Sequence, residues 1–156
     1  MSDMLVNLLS LPTLNQEIER MRELDVVVRR PMPHEISKVC AFVRENFSQS
    51  WADEITVGFH NKPVSLYIAI YKGGILGFGA YECTARAFFG PTGVAEKERN
   101  RGIGRSLLIA CLWGLREMGY VYGIIGGAGP MDFYRKTVKA IEIEGSVPGI
   151  FANPLS

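Results

Sequence analysis

The stretch from Val94 to Leu108, V-A-E-K-E-R-N-R-G-I-G-R-S-L-L, restricts the fold of this chain more than any other. It runs from the end of a strand pattern, through a loop dense in arginine and glycine, into an apolar helix pattern. Two glycines at the mouth of a helix let the backbone approach an anionic group closely, because no Cβ intervenes. The first helical N–H groups lack intrahelical partners and sit at the positive end of the helix dipole. Phosphate suits such a position. Lys97, Arg99, Arg101 and Arg105 add positive charge around it, and guanidinium matches phosphate geometry. The loop reads as a diphosphate-binding turn, with chemistry at the far end of the ligand. Two better-known phosphate patterns do not fit. The third glycine of a G-x-G-x-x-G fingerprint would be Leu107, and no G-x-x-x-x-G-K-[ST] occurs.

Composition narrows the remaining classes. A chain of 156 residues is expected to form a single domain (1–156) with a real core, opened by an arm and an amphipathic helix over 1–24. A net charge of +1 gives no reason to expect a polyanionic partner, and the basic residues of the loop are a local cluster, so nucleic acid is not expected. Cys40, Cys83 and Cys111 are odd in number and far apart, which argues for a reducing compartment and against a disulfide frame. With only His34 and His60 besides, no metal site is expected. The longest apolar run, Leu107 to Leu115, is too short to span a bilayer, and no export leader is read. The expectation is a cytoplasmic protein with no membrane partner.

Along the chain, Met1 to Leu11 reads as an extended arm crossing the surface. Thr13-x-x-Gln16 has capping-box spacing, and Leu14, Ile18 and Met21 recur at helical intervals to about Leu24. Asp25 to Arg30 is a β-branched strand. His34 to Phe47 and Ala52 to Phe59 are helical, with Trp51 between them as a hydrophobic plug. Val64 to Tyr71 and Ile75 to Cys83 form a hairpin across Lys72-Gly73-Gly74. Arg86 to Val94 is a strand bent or bulged at Gly90-Pro91. The helix from Gly102 to Met118 buries Leu107, Leu108, Cys111, Leu115 and Met118. Ile109 and Trp113 lie on its other side and need a cover, either the N-terminal arm or a second subunit, so a homodimer is one expectation. Tyr120 to Gly126 is a strand, Met131 to Val138 a helix, and Ala140 to Glu144 a half-exposed strand, with Val147 to Phe151 as one more candidate. This alternation predicts a mixed α/β sheet with a parallel crossover through the helix of Gly102 to Met118.

Arg99-Asn100-Arg101-Gly102-Ile103-Gly104 matches the R/Q-x-x-G-x-G/A signature of the GNAT acetyltransferase superfamily. From Phe88 to Lys136 the chain resembles that family in order and spacing, with Val94 where the family ends its fourth strand. The resemblance implies a mostly antiparallel sheet with one parallel crossover after the acetyl-CoA loop, and helices on both faces. It implies acetyl-CoA as co-substrate and a small-molecule or protein amine as acceptor, with the region of Ser48 to Trp51 lining the acceptor pocket as the alternative to a plug. The backbone of Val94, Ala95 and Glu96 would meet pantetheine and the acetyl carbonyl. Arg99, Asn100, Arg101, Gly102, Ile103, Gly104 and Arg105 would hold the diphosphate. The strands ending at Val94 and beginning at Tyr120 would splay to admit the pantetheine arm. Tyr134 stands where many members place a tyrosine near the thioester sulfur, to protonate or hydrogen-bond the leaving thiolate. The asparagine many members carry seven residues earlier is here Gly127.

The reaction so implied is direct transfer, with a backbone N–H at the fourth-strand bulge stabilising the oxyanion. An alkyl amine with a pKa near 10 is neutral in only about one molecule in two thousand at pH 7, so a proton acceptor is needed. Glu82 and Glu96 are the candidates by position. Covalent catalysis through Cys83 or Cys111 has no recognisable base partner. Two other readings stand beside the enzyme: a non-catalytic acyl-CoA-binding module, and a nucleotide-using phosphate-loop enzyme.

Overall fold

The computed structural model describes residues 1–156. Seven strands form one sheet: β1 (Met4–Asn7), β2 (Val27–Arg29), β3 (Leu66–Tyr71), β4 (Gly74–Tyr81), β5 (Phe88–Val94), β6 (Tyr122–Ile125) and β7 (Ile141–Glu142). Their order is β2-β3-β4-β5-β6-β1-β7. Every pair is antiparallel except β5–β6. Five helices pack on it: α1 (Leu14–Glu23), α2 (Ile36–Asn46), α3 (Gln49–His60), α4 (Ile103–Glu117) and α5 (Met131–Val138).

Strand alternation sorts the core into two layers. Leu66, Ile68, Phe78 and Ala80 point to one face, under Val39 and Val43 of α2 and Ile55 and Phe59 of α3. The residues between them face α4. A Cβ at Gly77 or Gly79 would lie about van der Waals distance or closer from Leu107, at 3.1 and 3.5 Å, so bare backbone lets α4 sit low on the sheet. The hairpin expected at Lys72-Gly73 is a two-residue turn with φ of 47° and 82°, the positive-φ pair that matches strand twist. The bend expected at Gly90-Pro91 is a bulge, where the β4–β5 register shifts between Gly79 and Tyr81.

The largest departure from the sequence reading is at the N-terminus. Met1 to Leu11 is not an arm on the surface. Met4 to Asn7 lies inside the sheet, between β6 and β7, with Met4, Val6 and Leu8 fully buried. Alternation in M-L-V-N-L carries that burial, because positions 4, 6 and 8 share one side of an extended chain. Two smaller corrections accompany it. Thr13 occupies the cap position of α1 without a side-chain capping bond, and Val147 to Phe151 contains a short 3-10 turn at Gly149–Phe151 in place of a strand.

The cover over α4 comes from the same N-terminal segment. Ile109 is fully buried, and Trp113 donates its indole N–H to the Pro12 carbonyl at 2.8 Å. Leu11 and Leu14 pack against the same core. Of the two alternatives, the chain's own N-terminal segment fills the need. Trp113→Ala should therefore lower stability by about 2 kcal/mol, less than a fully buried tryptophan because Trp113 is half-exposed. A thermal melt that does not move would show that this contact carries no weight.

Candidate active site

The parallel pair β5–β6 is short. Phe88 pairs with Ile124 and Phe89 with Ile125, and the last bond, Gly126 N–H to Phe89 C=O, is long at 3.4 Å. Beyond it β5 runs on for five residues bonded only to β4. The strands part at their C-terminal ends, the end at which ligands of open α/β sheets bind. Ala95 N–H turns toward β4 and donates to Leu76 C=O at 2.8 Å. By strand alternation the N–H and C=O of Val94 then point into the gap. The Val94 carbonyl is indeed outside the ladder, accepting from Arg99 Nε at 3.3 Å.

The loop from β5 to α4 makes a short 3-10 turn at Glu96–Glu98 and then two left-handed steps, Asn100 at φ 66° and Gly102 at φ 82°. Asparagine and glycine are the residues that adopt this region at least cost. Gly102 caps α4, and the Ser106 N–H is bonded back to it at 3.1 Å. The N–H groups of Ile103, Gly104 and Arg105 are left free in the first turn. The Ile103 side chain is buried with Met21 and Leu107, so it offers only its backbone outward. A Cβ on Gly104 would meet Val94 Cγ2 at an ordinary 3.6 Å. Nothing in the protein itself demands glycine there, whereas a ligand approaching the backbone would.

The charge around this loop differs from the simple sum of four cations. Arg101 is paired with Glu98. Arg105 donates Nε to Glu17 at 2.6 Å, and Glu17 is buried between it and Arg20. Arg105 is thus pinned to α1, which fixes the start of α4. Lys97 and Arg99 have no carboxylate partner and remain for an anion.

Behind the gap lies a cavity of about 430 Å³, and a second of about 210 Å³ shares several of its wall residues. Trp51, Phe89, Pro91 and Gly126 border both. Trp51 packs on Phe47 and Phe78 with centroids 5.4 and 6.2 Å away, so the plug expected there is also a wall of the cavity. Tyr134, on α5, borders the smaller space, with its ring edge-on to Phe89 and Phe133. Burial alone pushes its phenol up to about 12, and no side chain hydrogen-bonds it. Gly127 has no side chain to offer, but its N–H is held by Asp3 Oδ1 at 2.8 Å. The N-terminal strand thereby fixes one lip of the site, a role the sequence reading missed.

The two carboxylates singled out from sequence lie elsewhere. Glu82, at φ 56°, accepts the Ala87 N–H at 2.7 Å and the Tyr120 hydroxyl at 2.6 Å, which ties the β4–β5 connection to the start of β6. Neither cavity is bordered by it. Glu96 is exposed on the loop. The carboxylate that does border the larger cavity is Glu54 of α3, which accepts a hydrogen bond from the Thr84 hydroxyl. Its neighbour Trp51 was the only sequence signal for this region. The cysteines are poor nucleophiles here. Burial pushes Cys83 up to about 11 and Cys111 higher still. No group of three or more His, Cys, Asp or Glu side chains is placed to hold a metal ion.

No protein-family model matches the sequence, and no curated protein does. Solved structures do match in three dimensions. The GCN5-related glucosamine N-acetyltransferase region of a fungal multi-domain GH3 beta-N-acetylglucosaminidase superposes with a TM-score of 0.73 over 91% of this chain, at 19% identity. The chain has the GNAT fold. A GCN5-related N-acetyltransferase from Sphaerobacter thermophilus matches with a TM-score of 0.66, again at 19% identity over 91% of the chain. A GNAT acetyltransferase from Brucella melitensis, solved with acetyl-CoA, matches with a TM-score of 0.57 over 71% of the chain, also at 19% identity. The chain spans 19% of the fungal protein's length, 48% of the Sphaerobacter protein's and 80% of the Brucella protein's. The mixed sheet with its one parallel pair, β5–β6, and helices on both faces is the GNAT fold, as expected from the signature. No helix is long and apolar enough to cross a membrane.

Proposed function

We propose that the protein transfers an acetyl group from acetyl-CoA to an amine by direct attack. The observation that carries this reading is the open edge of β5: Val94 points its backbone into the gap, outside the sheet ladder and with its carbonyl bonded only to the Arg99 side chain, a short loop before a helix N-terminus with free N–H groups. Pantetheine pairs with the strand edge, and the diphosphate rests on the first turn of α4, with Lys97 and Arg99 beside it. Arg101 and Arg105 act there through Glu98 and Glu17, stiffening the loop. Gly104 leaves the backbone accessible. The acetyl group then lies between β5 and β6, next to the cavities.

The acceptor nitrogen, freed of its proton, attacks the thioester carbonyl. The C–N bond forms, the oxyanion takes the Val94 N–H, and the C–S bond breaks as the carbonyl re-forms. Tyr134 gives its proton to the departing sulfur or hydrogen-bonds it, and the second proton, lost by the nitrogen as the amide forms, passes through water to the sulfur or back to Tyr134. The proton released by the ammonium goes to Glu54, directly or through water, and then to bulk. Glu54 replaces Glu82 and Glu96 in this role because it alone borders the cavity. A non-catalytic acyl-CoA-binding module shares the loop but has no use for Tyr134 and Glu54 together.

Calorimetry with acetyl-CoA tests the reading, with Gly104→Val as the control. A Cβ at this position meets only Val94 Cγ2, at an ordinary 3.6 Å, and a melting temperature close to the parent's is required of the control. Its affinity for acetyl-CoA should fall at least tenfold. Gly102→Val is a poorer probe, since a β-branched residue at φ 82° strains the loop by itself. Equal affinity in the parent and the Gly104→Val protein, or none in the parent, rules the site out. Free-thiol release with an amine panel then separates transfer from binding alone.

A further inference from the structure

We propose that the acceptor is a monoamine on an apolar body, bound with its ammonium against Glu54 and its body between Trp51, Phe88 and Phe151. The inference names the substrate class of the site assigned above and rests on that assignment for the transfer step only.

Three observations lead to it. Glu54 is the only charged side chain bordering either cavity. It belongs to none of the ion pairs of the chain, and its one hydrogen-bond partner is the neutral Thr84 hydroxyl. A carboxylate in no ion pair, in a concave and largely apolar place that Met1 also borders, invites a single positive charge and repels a negative one. Secondly, the remaining side chains of the larger cavity are mainly apolar: Trp51, Phe88, Phe89, Pro91, Val147 and Phe151 among them. Apart from Glu54 and Thr84 no polar side chain borders it to match a polyhydroxylated body, and no second carboxylate is there to balance a second ammonium. Thirdly, Val147 and Phe151 stand at the rim 56% and 58% exposed, and an apolar body seated in the cavity would cover them. The volume, about 430 Å³, is that of a small-molecule pocket. A lysine side chain on a folded protein would bring its polar backbone against this rim, so a free small amine fits better.

Binding of four probes to the whole protein, with and without saturating CoA, tests the assignment by calorimetry. The probes are phenethylamine, 3-phenylpropionate, spermidine and glucosamine. Phenethylamine should bind at least tenfold more tightly than each of the others. Glu54→Gln should weaken phenethylamine at least tenfold while leaving the melting temperature within a few degrees, and Glu54→Asp should recover part of the loss. Phe151→Ser should weaken phenethylamine and leave acetyl-CoA affinity unchanged. Equal binding of 3-phenylpropionate by the parent protein overturns the charge assignment, whatever becomes of the variants. Tighter binding of spermidine or glucosamine overturns the apolar-body assignment. A protein that binds phenethylamine but not acetyl-CoA keeps this pocket and loses the transferase reading. One that binds acetyl-CoA but not phenethylamine does the reverse.

Discussion

Val6→Asp should leave the chain unfolded at physiological temperature. Val6 is fully buried in β1, paired with Gly123 of β6, and belongs to the same apolar cluster as Leu108, Leu112 and Leu115 of α4. A carboxylate there has neither a cation nor water, and burying it costs about 5 kcal/mol or more. Domains of this kind are stable by roughly 5–15 kcal/mol in all, so the substitution removes much or all of the margin. Circular dichroism against temperature reads the result. The surface-arm reading of Met1 to Leu11 expects no change, and a folded Val6→Asp protein would restore it.

Tyr134→Phe should cut turnover on the order of 10²-fold with little change in stability or in acetyl-CoA affinity. General-acid help spans roughly 10²–10⁴-fold, and a thiolate with a pKa near 8.5 leaves readily, so the lower end applies. The fold should hardly notice, because the hydroxyl has no side-chain partner to lose while the ring keeps its contacts with Phe89 and Phe133. Acidity sharpens the test. The phenol stands at about 12, so it stays protonated through the working range, and no alkaline fall in rate below about pH 11 should arise from it. The same shift makes a statement about stability. The unfolded chain releases this proton near pH 10 and the folded chain near 12. The stabilising contribution is therefore whole below pH 10 and is lost as pH climbs toward 12, a loss that Tyr134→Phe should remove. Unchanged turnover in that variant would dismiss Tyr134 as the acid.

The proposed cofactor end of the site could be read because its residues are local. Glycines at 102 and 104, an asparagine at 100 and an apolar helix right after them are consecutive in the chain, and their conformation follows from their own sterics. Hairpin, bulge and crossover were legible for the same reason. The acceptor end was not, since its walls come from α3, β5, the end of β6 and the C-terminal turn, which only the folded sheet brings together. Glu82 looked well placed because it follows β4, yet its backbone turns left-handed and hands the carboxylate to Ala87 and Tyr120. Glu54 had no distinguishing neighbour in sequence beyond Trp51. The N-terminal strand escaped notice because four residues of alternation are too few to tell a sheet member from a loose end, and its partners are more than a hundred residues away.

That distance matters during synthesis. β1 is bordered in the finished sheet by Tyr122–Ile125 and Ile141–Glu142, both made more than a hundred residues after it. Met4, Val6 and Leu8 must wait, apolar and unpaired, until those partner strands have been translated. A chain cut before residue 122 has neither of the strands between which Met4–Asn7 must sit.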